Sequence, residues 1–234
     1  MPRLRRYELV DISQHVIQRG HNRQPTFFES RDYRYYLECV ADAAARYHCE
    51  IHAYVLMTNH VHLLITPRQP LAIAGFMQSV GGRYVKYVNR RYRRSGTLWG
   101  GRYRASLVST GAYLTCCYRY IELNPVRANM VGDPAAYAWS SYRHNAGHRV
   151  DALVTEHAEY CSLGTGPAER AAAYRDLFRD VLDPALTAQL RRDLNESRPF
   201  GSEQFKDQVE RELKRQLRRG NPGRRKGKPD QSEM

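Results

Sequence analysis

The sequence predicts an α+β architecture: a small antiparallel sheet with helices on one face, followed by a helical C-terminal region. Three observations carry this expectation. Residues 51–57 and 60–66 are two runs rich in β-branched and aromatic side chains, separated only by the turn signal Thr58-Asn59, so they form a hairpin. Helical periodicity alternates with strand-like runs before and after that hairpin, giving the order β-α-β-β-α-β-α. Beyond His148 the strand-like runs give way to helical ones.

Residues 14–18 (Gln-His-Val-Ile-Gln) form the first strand, ended by the polar loop Arg19, Gly20, His21, Asn22, Arg23. Ser30 suits a helix N-cap with Asp32 in the first turn, and Tyr36, Leu37, Val40, Ala44 and Tyr47 make the apolar stripe of the first helix. Pro67 and Pro70 stop the hairpin. Residues 71–92 resume helical spacing, with Gly81-Gly82 as a weak point and Ser95-Gly96 as the end. Residues 98–108 are expected as the fourth strand. Ser109 or Thr110 can cap a helix that reaches Asn124, where Pro125 ends it because the residue before a proline is pushed out of helical conformation. Helical stretches follow at 168–181, 184–194 and 203–217. Gly220, Pro222, Gly223 and Gly227 then interrupt an Arg/Lys-rich tail at 218–228, expected to be disordered when free. The chain thus divides into a main domain at 1–148, a helical region at 149–217 and a basic tail at 218–234.

Charge narrows the function. With 37 Lys plus Arg against 24 Asp plus Glu, the net charge is +13. No apolar run approaches the ~18 residues of a membrane span, which argues against secretion and membrane insertion. Cys39, Cys49, Cys116, Cys117 and Cys161 are an odd set without a Cys-x-x-Cys pair, so neither a zinc site nor a disulfide framework is expected; buried thiols in a reducing cytoplasm are. From Ile51 through Ile121 there is no Asp or Glu, while Arg68, Arg83, Lys86, Arg90, Arg91, Arg93, Arg94, Arg102, Arg104 and Arg119 all fall there. A polyanion is the natural counter-charge for such a stretch, with local salt bridges unable to neutralise it. Tyr84, Tyr87, Tyr92, Trp99 and Tyr103 are interleaved with these cations. Unstacked bases can lie on such rings at ~1–3 kcal/mol each, favouring single-stranded or hairpin nucleic acid, although rings at helical spacing also serve as core.

His60-Val61-His62 lies on the second hairpin strand, so alternation projects both imidazoles to one face while Val61, Leu63 and Ile65 face the core. Two neutral imidazoles side by side can bind a divalent metal, and equally can be ordinary structural histidines. Tyr120 and Asn124, four residues apart, share one helical face. Taken singly, the first suits a packed aromatic and the second a helix C-terminal cap; with the histidines and the acid-free surface they suit a phenol beside a metal.

Tyr54-Val-Leu-Met-Thr-Asn-His-Val-His-Leu-Leu64, Tyr118-Arg-Tyr-Ile-Glu-Leu-Asn-Pro-Val-Arg-Ala128 and His15-Val-Ile-Gln-Arg-Gly20 resemble the REP-associated tyrosine transposases, of the single-tyrosine HUH superfamily. The resemblance covers about residues 7–142 and makes 1–148 an HUH catalytic domain. It implies that His60 and His62 are metal ligands, Tyr120 the nucleophile and Asn124 the third protein ligand, a place that glutamine commonly fills in insertion-sequence relatives. It further implies Mg²⁺ or Mn²⁺ as cofactor, no nucleotide cofactor, and cleavage and rejoining of single-stranded or REP-like hairpin DNA through a 5′-phosphotyrosine. Without a carboxylate ligand, metal affinity should depend on the DNA phosphate. Arg19, His21, Asn22, Arg23, Arg102 and Arg104 are candidate DNA contacts, with Arg83, Lys86 and Arg90 of the acid-free stretch. A monomer and a homodimer are both compatible. The alternatives are a noncatalytic hairpin-binding protein and a metal-dependent nuclease, the latter lacking an acidic general base in the motif region.

Overall fold

The computed structural model describes residues 7–214; the 218–228 tail and the last turn expected for the helix at 203–217 lie outside the described residues. Strands β1 (Gln14–Arg19), β2 (Cys49–Met57), β3 (His60–Pro67) and β4 (Arg104–Leu107) form one antiparallel sheet in the order β2-β3-β1-β4. Helix α1 (Ser30–Arg46) lies between β1 and β2, and α2 (Ala72–Arg91) between β3 and β4. After β4 come α3 (Ala112–Glu122), α4 (Asn124–Arg127), α5 (Tyr142–Asn145), α6 (Ala158–Cys161), α7 (Pro167–Asp176), α8 (Pro184–Glu196) and α9 (Glu203–Leu213). The α+β class and the strand and helix order are those expected.

Alternation on β3 divides the molecule into layers. Val61, Leu63 and Ile65 join Val16, Tyr54 and Leu56 beneath α1 and α2, whose Tyr36, Val40, Phe76 and Val80 are fully buried. Each aliphatic side chain removed from water this way contributes about 2 kcal/mol. Leu64, Ala53 and Val55 point oppositely and meet Leu114, Cys117 and Ile121 of α3, with Leu190 of α8 in the same cluster. Thus α1 and α2 occupy one face as expected, and α3 with α8 adds a layer on the other. Both sheet edges are covered from the second half of the chain. Along β2, Leu56 N–H donates to Trp139 O (2.9 Å), Ser141 N–H to Tyr54 O (3.0 Å) and Thr155 N–H to Ile51 O (2.7 Å). Beyond β4, Phe200 N–H donates to Leu107 O (2.7 Å). Such coverage shortens the open ladder that each edge offers to another chain.

Several local expectations change. Only Arg104–Leu107 of residues 98–108 is a strand; Gly101, at φ 135°, breaks it, and Trp99 makes a lone bridge to Gly20. Helix α1 is capped at Glu29 rather than Ser30, because the Asp32 carboxylate accepts from the backbone N–H groups of Phe28 (2.8 Å) and Glu29 (3.0 Å). Gly111 precedes α3, not Ser109 or Thr110. Pro125 ends α3 but also starts α4, where a first-turn proline loses no hydrogen bond. Carboxylates from outside the acid-free stretch reach into it: Asp11 and Glu50 pair with Arg68, Asp42 with Arg83, and Glu29 with Arg91. The interleaved aromatics prove to be framework. Tyr84 is buried and donates to Thr26 O, Tyr87 and Tyr92 donate to Asp32, and Trp99 and Tyr103 are buried. Four of the five thiols are buried and all are free; Cys161 is exposed. No described helix is long and apolar enough to cross a membrane.

A polar knot ties α3 to the later helices. Glu122 is wholly buried, its Oε1 accepting from Ser141 Oγ (2.6 Å) and Asn145 Nδ2 (2.8 Å) and its Oε2 from Tyr174 Oη (2.7 Å). Burial pushes its pKa from 4.5 up to about 7 against these hydrogen bonds. The folded chain therefore holds more protons than the unfolded one between those values, so stability present below pH 4.5 is lost as pH rises through 7, by about 3 kcal/mol. Urea denaturation across this range should show the advantage of the parent chain over Glu122→Gln shrinking by that amount; parallel pH curves would contradict the assignment.

Candidate functional site

The centre is assembled by strand register. His60 and His62 share a face of β3, and antiparallel pairing sets Arg19 opposite His60, Ile17 opposite His62 and His15 opposite Leu64 on β1, with Arg104 of β4 opposite Ile17. Directly paired residues share a face, so three histidines and two arginines converge on one side of the sheet. The ring centroids of His60 and His62 lie 5.1 Å apart, and those of His15 and His62 5.0 Å apart. His15 Nε2 and His62 Nδ1 share a 2.7 Å hydrogen bond. His60 Nδ1 donates to Asn59 Oδ1 at 2.7 Å, which leaves its Nε2 with a free lone pair.

The polar loop after β1 is held against this centre. Gly20 N–H donates to Asn59 O (2.8 Å) and Asn59 Nδ2 to Arg23 O (2.9 Å). A Cβ at Gly20 would fall 2.3 Å from Gln24 O and 2.8 Å from Thr26 Cγ2, so only glycine allows that approach. His21, Asn22 and Arg23 are exposed beside it, the last two in left-handed conformation at φ 50° and 58°.

Helix α3 lays Tyr120 over the imidazoles. Its ring centroid is 5.9 Å from those of His62 and His15, and the residue is 8% exposed. Phenol and imidazoles come from the same chain. Two guanidiniums lie against the ring, Arg127 Cζ at 3.9 Å and Arg191 Cζ at 5.7 Å from its centroid. Asn124 is beside the centre but turned to the helix end: Nδ2 donates to Tyr120 O (2.9 Å) and Ile121 O (3.1 Å), while Oδ1 accepts from Arg127 (2.9 Å).

Burial dominates the electrostatics. It lowers His15 from 6.5 to about 3, with Arg127 adding to the effect. It lowers His60 to about 4, with Arg19 and Arg127 contributing, and carries His62 well below 6.5 with help from both neighbouring histidines. All three imidazoles are neutral near pH 7, the form that ligates metal. His60 and His62 therefore fit a divalent cation as a neutral pair. Among the described residues no group of three or more His, Cys, Asp or Glu is placed to hold a metal ion. Asn124 Oδ1 accepts one bond, from Arg127, and keeps a second lone pair.

Sequence reasoning missed His15, Arg127 and Arg191. The spacing of seven from Tyr120 and three from Asn124 could have found Arg127; His15 needs the register of β1 on β3, and Arg191 the docking of α8. Of the expected DNA contacts, Arg19, His21, Asn22 and Arg23 adjoin the histidines. Arg104 shares their face and donates to Asn195 Oδ1 of α8 (2.7 Å), and Arg102 is exposed just before it. Arg83, Lys86 and Arg90 stand on α2, in the layer behind the sheet, and Arg83 is paired with Asp42.

The family model for IS200-like transposases matches residues 8–124, which include His15, His60, His62, Tyr120 and Asn124. A solved REP-associated tyrosine transposase bound to a REP hairpin shares the fold, with a TM-score of 0.56 at 14% identity over 68% of this chain and 93% of that one. A structure from Deinococcus radiodurans R1, described as a candidate transposase, gives a TM-score of 0.37 at 19% identity over 56% and 92%. No curated protein matches the sequence.

The buried neutral imidazoles have a direct readout. In metal-free protein, NMR titration should show His60 uncharged until the pH falls to about 4; protonation near 6.5 would mean that the face is open to water.

Proposed function

Given that the chain belongs to the IS200-like transposase family, we propose that it cleaves and rejoins single-stranded or REP-like hairpin DNA through Tyr120. The observation that carries the reading is the edge-on placement of that phenol beside His62 and His15 in one chain, under two guanidiniums. The hairpin bound by the structural relative supports the substrate class. Residues 1–148 carry the reacting groups, with α8 of the helical region supplying Arg191.

Tyr120 Oη attacks the scissile phosphorus, the P–O3′ bond breaks, and a 5′-phosphotyrosine remains. The phenolic proton passes to solvent and the leaving 3′-oxygen takes one up. Rejoining reverses the step with another 3′-hydroxyl, so each phosphoester broken is replaced by one formed and no nucleotide is consumed. His60 and His62, through Nε2, would hold Mg²⁺ or Mn²⁺ together with the DNA phosphate, and the ion would polarise that phosphate and neutralise charge on the leaving oxygen. For His62 to ligate through Nε2 its Nδ1 must carry the proton, and the contact with His15 accommodates this with His15 Nε2 as the acceptor. Arg19, His21, Asn22 and Arg23 line the approach to His60, and Arg102 and Arg104 extend it along β4.

Tyr120→Phe should keep hairpin binding and lose the covalent protein–DNA adduct, scored on denaturing gels; a binding-only protein would form none in any version, and a nuclease would still cut. In the Tyr120→Phe background with hairpin DNA present, His15→Ala should weaken Mn²⁺ binding, read by electron paramagnetic resonance, ~10–100-fold. Unchanged Mn²⁺ affinity would remove His15 from this role.

A further inference from the structure

Among the described residues, one of the unpaired cations at the centre, Arg127, also holds a buried donor without a hydrogen-bond partner. Arg127 stands on α4, three residues beyond Asn124 and seven beyond Tyr120, and helical spacing carried across Pro125 returns it to their side. Its guanidinium is engaged on two sides and empty on the third. Cζ lies 3.9 Å from the Tyr120 ring centroid, and one terminal nitrogen, Nη2, donates to Asn124 Oδ1 at 2.9 Å. The other, Nη1, is buried without a hydrogen-bond partner. No carboxylate pairs with Arg127 among the described residues; the second cation on the same ring is Arg191.

A buried donor left unmade beside a like charge costs free energy, and cation–π contact with one ring offsets only part of it. Nη1 is therefore a donor that an anion would satisfy. The face it shares with His15, His60 and His62 is where a DNA phosphate must lie if Tyr120 is to reach it. Guanidinium is suited to this because its planar fork can serve the amide and a phosphate oxygen at once.

Resting on the strand-transfer reading above, we propose that Arg127 is a catalytic residue that binds the scissile phosphate: Nη1 donates to a non-bridging oxygen while Nη2 keeps its bond to Asn124. The arginine then fixes the phosphate relative to the phenol on which it stacks. As the Tyr120 Oη–P bond forms and the P–O3′ bond breaks, negative charge builds on that non-bridging oxygen and the hydrogen bond strengthens. Arg127 itself neither gains nor loses a proton.

The test uses the full chain and a hairpin substrate with either a natural linkage or a methylphosphonate at the cleavage position, where one charged oxygen becomes a methyl group. Single-turnover adduct formation is compared for the parent chain, Arg127→Ala and Arg127→Lys, each first checked by thermal melting. On the natural linkage Arg127→Ala should slow the adduct ~100-fold or more, and Arg127→Lys, which keeps charge but not the fork, should recover part of it. On the methylphosphonate the parent and Arg127→Ala should react at similar rates. Equal losses on both linkages, or no loss on the natural one, would overturn the proposal and leave Arg127 a packing residue. If the parent chain forms no adduct, the strand-transfer reading falls, and affinity decides this proposal separately. The parent should then prefer the charged linkage and Arg127→Ala should not; an equal preference in both would overturn it.

Discussion

Neutral imidazoles and uncompensated guanidiniums gathered on one face of a sheet, with no carboxylate among the described residues paired to them, are the constraint on which the rest of this molecule depends. Arg19 and Arg127 are the charges that bear on His60 and His62, and both push toward the unprotonated form. A carboxylate placed there would have paired the arginines, raised the imidazole pKa values and filled the electrostatic vacancy that a phosphodiester is suited to enter. The carboxylates the protein does bring close to its basic stretch are spent elsewhere: Asp42 and Glu29 on the α1/α2 layer, Asp11 and Glu50 on Arg68. Glu122, only two residues from Tyr120, faces away into Ser141, Asn145 and Tyr174. A single helix thus carries Tyr120 on one side and a sequestered acid on the other.

Much of this was legible in the order of residues because alternation is a local property. The period of two on β3 separates His60 and His62 from Val61, Leu63 and Ile65 without knowledge of any partner strand, and the same pattern marks the hairpin. The fourth strand was less legible, since the β-forming residues around Trp99 are overruled by glycines that bend the chain. The aromatic run of α2 was ambiguous: nothing in its spacing reveals that Asp32, far away in sequence, gathers Tyr87 and Tyr92, or that Thr26 receives Tyr84. His15 is the instructive omission. A lone histidine on a short strand has no period to be judged by, and its relation to His62 exists only once β1 is laid in register on β3.

Asn124 shows how a residue can satisfy two descriptions. Its Nδ2 closes the end of α3, as a helix-terminal amide does, while its oxygen accepts from Arg127, which lies over the Tyr120 ring. Capping fixes the side chain without consuming the oxygen, so the position can be structural in the free chain and still present an acceptor at the reacting centre.

The edge coverage has a bearing on synthesis. A nascent chain that has emerged only as far as α3 already contains all four strands and Tyr120, yet it lacks Trp139–Ser141 and Thr155 for one margin of the sheet and Phe200 for the other. Until the ribosome delivers them, both margins are exposed to wrong partners. Arg191 arrives in the same late segment, so the Tyr120 ring gains its second guanidinium only as those margins close. The groups that close the sheet margins and the second guanidinium on Tyr120 thus become available only with the later helices.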